Sequence, residues 1–163
     1  MTNSSVGRVF VGVDGTPGSL QALRHALGFA RLYAAPLIPV LAWQAPGGES
    51  QARIREVPEL EREWVRIADQ RLAAAFEEGL GELPPDVHCE PRLIRGPTGP
   101  ALVASADRPD DLLVVGTGRH GAIARFTHSH VAGYCVAHAS CCVVAVPPPP
   151  LADVSRHLGH LTV

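Results

Sequence analysis

The stretch VVGTGRHGAIARFTHSH, Val114 to His130, gathers most of the residues in this sequence that could handle an anion. Gly116, Gly118 and Gly121 follow an apolar run and precede a stretch that can be helical, the place where a phosphate loop would sit. A phosphate needs converging N–H donors and close approach of the main chain, which glycine allows because it lacks a Cβ and tolerates positive φ. Ser129 and His130 fall near the start of the following helix, where the helix dipole favours negative charge and a side chain can donate. Arg119 and Arg125 could neutralise phosphate charge through forked hydrogen bonds. The bland alternative is that the glycines only turn the chain after a buried strand.

A second candidate is Asp14, at the end of the apolar run RVFVGVD. Its carboxylate could accept hydrogen bonds from a ribose, or cap the next helix together with Thr16; the following GTP already supplies a cap, which favours the ribose. His120, His128 and His130 invite a metal reading, yet no preorganised ligand set accompanies them, and solvated or anion-facing imidazoles are the simpler account. Cys135, His138, Cys141 and Cys142 raise the same thought; Cys141 and Cys142 adjoin at a strand start and should point to opposite faces, so small buried thiols suffice. No metal site is assigned. No Ser/His/Asp or Cys/His arrangement can be defended, and no dedicated base or water-positioning group for phosphoryl transfer is identifiable, so no catalytic residue is assigned and any ATP hydrolysis would be incidental.

Composition narrows the field further. With 163 residues, 46% of them hydrophobic, the chain can bury one domain and is short for two. A formal net charge of -2 gives no general pull toward nucleic acid. All 14 basic residues are Arg, and the absence of Lys removes P-loop NTPases, Schiff-base enzymes and phosphate-receiver domains, each of which relies on an amine. The start MTNSSVGRVFVGVDG has no h-region behind a basic segment, and no run reaches the roughly 18 apolar residues of a spanning helix, so a cytoplasmic chain without membrane attachment is expected. Cys89, Cys135, Cys141 and Cys142 lack the spacing of a secreted disulfide framework and are read as reduced.

The elements that must position these residues follow from periodicity. Arg8 to Asp14 reads as a strand buried on both faces. Thr16 as N-cap and Pro17 at the first helical position open a helix whose stripe is Leu20, Leu23, Leu27, Ala30 and Ala34, with Arg24, His25 and Arg31 on other faces. APLIPVLAW is a second buried strand, and Gln44 to Val57 a polar, Gly/Pro-rich connection of the kind that lies over a site. From Pro58 to about Leu80, Leu60, Trp64, Ile67, Ala68, Leu72 and Ala75 form the stripe of the longest helix, with FEEG as its stop. VHCEPRLI is a third strand, alternating more than the others and so nearer an edge. A short helix across Leu102, Val103 and Ala106, a fourth strand over Leu112 to Val115, a helix around Val131, Tyr134, Cys135 and His138, and a last strand CCVVAV before the prolines from Pro147 complete the pass. About five strands alternating with helices predict an α/β fold, an open five-stranded parallel sheet with helices on both faces. Ligands bind at the carboxyl ends of such strands, so Asp14 and Gly116 share a crevice if the first and fourth strands are neighbours where the strand order reverses.

On these anchors the chain resembles the universal stress protein family over about Arg8 to Val146. VFVGVDGTPGS resembles the family's opening V-G-V-D-G-S, DDLLVVGTGRHG its D-L-L-V-V-G-S-x-G-x-G loop, and AHASCCVVAVP its closing H-A-x-C-P-V-L-V-V-P, with no gap between the last two. The resemblance implies a Rossmann-like adenine nucleotide alpha hydrolase-like fold, a homodimer, and a site for ATP or another adenine nucleotide, with Mg, in members that keep G-x2-G-x9-G followed by Ser or Thr. Counted from Gly116, the second glycine place holds Arg119, the third Ser129 and the hydroxyl place His130; counted from Gly118, Gly121 is kept but Val131 and Ala132 take the last two places. Neither register is clean, and the motif is degenerate. Carried over by position, Gly12, Val13 and Asp14 would meet the adenosine, Ala42 would lie along the base, and Gly116, Thr117, Gly118, Arg119, Gly121, Ser129, His130 and Val131 would approach the phosphates.

The resemblance also places the last strand at a sheet edge, where its unpaired main-chain groups would be satisfied by a twin strand; Cys142, Val143, Val144, Ala145 and Val146 are the expected dimer interface, unless the tail beyond Pro150 covers them. The expected layout is a tail over residues 1–7, the domain over 8–146 and a Pro-rich tail over 147–163. Two functions remain open: an adenine-nucleotide-binding dimeric stress-response regulator, acting through conformation or a regulatory protein partner, and a nucleotide-free dimeric interaction module of the same fold. A flavin or electron-transfer domain is a third reading, opposed by the 5% aromatic content and the lack of a stacking pair beside the loop.

Overall fold

The computed structural model describes residues 5–45, 58–117 and 129–150, the side chains of Ser129 and His130 excepted. The connection over 46–57, Gly118, Arg119, His120, Gly121, Arg125 and His128, and the chain beyond Pro150 lie outside the described residues.

The buried run at the start forms β1 (Arg8–Gly12). Its side chains alternate between two cores: Val9 and Val11 join one cluster, Phe10 the other, and all three are sealed from solvent. Next come α1 (Pro17–Tyr33), β2 (Leu37–Trp43), α2 (Pro58–Leu80), β3 (Arg92–Arg95), α3 (Thr98–Ser105), β4 (Asp111–Gly116), α4 (Ser129–His138) and β5 (Cys142–Val146). The strands form one sheet in the order β3-β2-β1-β4-β5, every pairing parallel, with Val11 opposite both Pro39 and Val114. The expected open five-stranded parallel sheet is therefore present, with β3 at one edge and β5 at the other. On one face α1 and α2 pack through Leu20, Leu23, Leu27, Ala68 and Leu72; on the other, α3 and α4 pack through Leu102, Ala132 and Cys135. Among the described residues there are four helices.

Four expectations are corrected in detail. β1 stops at Gly12: beyond it only the Val13 N–H continues toward β2, donating to the Val40 carbonyl at 2.9 Å, and the chain turns at Gly15, whose φ is +82°. Ala34 does not belong to the α1 stripe; it is an exposed left-handed C-cap with φ 49°, and its N–H closes onto the Ala30 and Arg31 carbonyls. In α2 only the second half of the expected stripe is buried, through Ala68, Leu72 and Ala75, while Leu60 and Ile67 stay 42% and 43% exposed. The helix ends at Leu80 as expected, just before Gly81 with φ +77°, and in its last turn Gly79 packs on α1, where an added Cβ would stand 3.0 Å from Leu23. VHCEPRLI is a regular strand only from Arg92; His88 and Glu90 already exchange hydrogen bonds with Leu37, but Pro91 has no N–H to carry the ladder on.

Candidate functional site

The strand order reverses between β1 and β4, which are neighbours, so their carboxyl ends open a crevice. A cleft of about 230 Å³ lies there, lined by residues from six stretches of the chain. Gly12, Val13 and Asp14 come from the end of β1, Ala42 from β2, and Val115 and Gly116 from β4. Thr16 and Ser19 belong to the start of α1, Thr98 is the first residue of α3, and Val131 lies in the first turn of α4. Three helix N-termini therefore border one cavity, each with main-chain N–H groups that no preceding turn satisfies.

Of the residues expected from the sequence, Gly12, Val13, Asp14, Ala42, Gly116 and Val131 are brought together around this cleft. Thr117 follows directly and is tied to the end of β5, its N–H donating to the Val146 carbonyl at 2.9 Å. Ser129 and His130 open α4 beside Val131. Gly118, Arg119 and Gly121 lie outside the described residues.

The first βα turn shows how the sequence builds one wall. Asp14 Oδ1 accepts from the Thr16 N–H at 2.8 Å and from its hydroxyl at 2.6 Å. Thr16 Oγ1 in turn accepts from the Ser19 N–H at 3.3 Å and caps α1, with Pro17 at the next position as expected. Ser19, nearly buried, donates its hydroxyl to the Thr16 carbonyl and accepts from the Asp14 N–H. Asp14 thus holds the turn as well as lining the cleft. Gly116 has a second reason to be glycine: a Cβ there would lie 2.8 Å from the Gly18 carbonyl oxygen, so β4 and the first turn of α1 meet main chain to main chain.

Sequence reasoning missed Ser19, Arg71, Thr98, Leu102 and Val115 as lining residues and expected Thr16 only as a cap. Thr98 had a signal in the GPTG turn before α3; Arg71 had none, because only the packing of α2 brings it to the end of β1. The described lining holds no aromatic ring, so a flavin would find no stacking partner among these residues. Among the described residues no group of three or more His, Cys, Asp or Glu is placed to hold a metal, and no helix is long and apolar enough to cross a membrane. The thiols of Cys89 and Cys135 are pushed up to about 11 by burial, and all four cysteines are unbridged.

Comparison with known proteins agrees with this geometry. A universal stress protein in complex with cAMP is 26% identical, with 89% of this chain and 99% of that one covered and a TM-score of 0.57. The universal stress protein UspA from Lactobacillus plantarum is 19% identical over 88% of this chain and 99% of that one, with a TM-score of 0.61. The Archaeoglobus fulgidus universal stress protein in complex with dAMP is 19% identical over 87% and 98%, with a TM-score of 0.52; at such identity these last two speak for the fold. No curated protein matches. The model of the universal stress protein family matches residues 6–147, which takes in all five strands and the whole cleft lining, and the chain belongs to that family.

Proposed function

We propose that the protein is a cytoplasmic, homodimeric universal stress protein that binds an adenine nucleotide in the cleft between β1 and β4 and signals occupancy through conformation or partner choice, without dedicated catalysis. The observation that carries this reading is the meeting of three helix N-termini and the strand-end glycines Gly12 and Gly116 around one cavity, an arrangement that suits an anion attached to a small planar group. In this reading the base lies along Ala42, the adenosine meets Gly12, Val13 and Asp14, and the phosphate faces Gly116, Thr117 and the start of α4 at Ser129, His130 and Val131, while Gly118, Arg119 and Gly121 keep the phosphate role expected from the sequence. Support comes also from the 26% identical family member crystallised with cAMP.

Calorimetric titration of the full chain with cAMP, AMP and Mg-ATP tests this. Saturable binding is expected, lost in an Ala42→Trp variant that fills the cleft while leaving the circular dichroism unchanged. No saturable heat at millimolar nucleotide would leave the nucleotide-free interaction module as the account of the fold.

A further inference from the structure

The described cleft lining carries one acidic and one basic side chain, Asp14 and Arg71. Arg71 arrives from α2, 57 positions along the chain from Asp14, and its Nη2 donates to the Asp14 main-chain carbonyl at 3.3 Å. Leu72, buried on α1, holds α2 at this level, while Arg71 itself is exposed at the mouth. A guanidinium has five N–H donors, and this single long bond occupies one of them. The charge has a use here. An entering phosphate is drawn to a positive charge at the cleft, and a sequence without Lys must supply that charge as Arg.

We propose that Arg71 is the charge selector of this cleft: its guanidinium meets the phosphate carried next to the ribose, so that the site prefers an anionic nucleotide to the uncharged nucleoside. The inference rests on the nucleotide-binding reading above and adds a residue from α2 to it. Arg71 reaches the cleft at the end of β1, where the reading above sets the adenosine beside Asp14, so it is assigned to the phosphate nearest the sugar. A fork of donors also suits the paired oxygens of a phosphate monoester or diester better than a point charge does.

The test is equilibrium dialysis of the full chain and of Arg71→Gln with AMP and with adenosine, at low and at high salt. Wild type is expected to bind AMP more tightly than adenosine. Arg71→Gln should weaken AMP about tenfold, change adenosine by no more than about twofold, and flatten the salt dependence of AMP binding. Because the side chain is exposed, the variant should keep the wild-type melting temperature, which a thermal scan verifies. If AMP and adenosine weaken equally, or neither changes, Arg71 is only a tether to the β1 end and the proposal falls while nucleotide binding stands. If wild type binds neither ligand, the nucleotide reading itself fails and takes this one with it.

Discussion

A Cβ on Gly116 would stand 2.8 Å from the carbonyl oxygen of Gly18 and 2.9 Å from its carbonyl carbon, atoms that cannot swing aside without moving the first turn of α1. Gly116→Ala should therefore lower stability by about 1–3 kcal/mol. Gly12→Ala meets the end of the Leu102 side chain at 2.9 Å, which can shift, and should cost under about 1 kcal/mol; urea unfolding of the two variants checks the order. The sequence shows a glycine ending an apolar run and suggests an anion as the reason; only the approach of α1 reveals the packing reason beside it. Two desolvated thiols, buried Cys135 and half-buried Cys89, give another residue-level outcome. With Cys89 and Cys135 pushed up to about 11 by burial, their thiolate fraction near pH 8 is small, and iodoacetamide followed by mass spectrometry should label both only on unfolding.

Elements differ in how far local signals define them. β1 and α1 are legible because everything that starts and stops them is adjacent: a buried run, a turn at Gly15, a capping Thr16 and Pro17. Thr16→Ala removes that cap and should cost about 1 kcal/mol in a thermal or urea melt. α2 is less legible, since its apolar spacing continues through Leu60 and Ile67 although only its second half meets α1. The end of the sheet opposite the cleft is held by side chains from distant segments. Arg8 Nε and Nη2 bond both oxygens of Asp111, which is sealed from solvent and also accepts from the Arg108 N–H, and Nη2 reaches Asp107 as well. Arg8→Met would strand a buried carboxylate and should destabilise by about 3 kcal/mol. The hydrogen bond from Arg8 holds the Asp107 carboxyl below its ordinary value. A depressed carboxyl contributes stability above its unfolded value, about 3.9, and loses that contribution as pH falls through the folded one. Asp107→Asn should thus make the melting temperature less dependent on pH below about 4.

At the scale of the molecule, the parallel sheet and the reversal between β1 and β4 follow from alternating strands and helices, whereas Arg71 joins the cleft only through the packing of α2 on α1. β5 closes one side of the sheet with Cys142 and Ala145 exposed and Val143 and Val144 half-buried. If this edge pairs with its copy, Ala145→Glu sets like charges against each other across the twofold axis and should convert a sedimenting dimer to monomer without unfolding it. The central claim, that the β1/β4 cleft takes an adenine nucleotide, is tested most directly by titrating isotope-labelled protein with AMP and following its amide resonances. Saturable shifts should concentrate at Gly12, Val13, Asp14, Ala42, Gly116, Thr117 and Val131 and leave the Arg8–Asp111 end of the sheet still. Shifts that never saturate, or that saturate at residues away from this cleft, would contradict it.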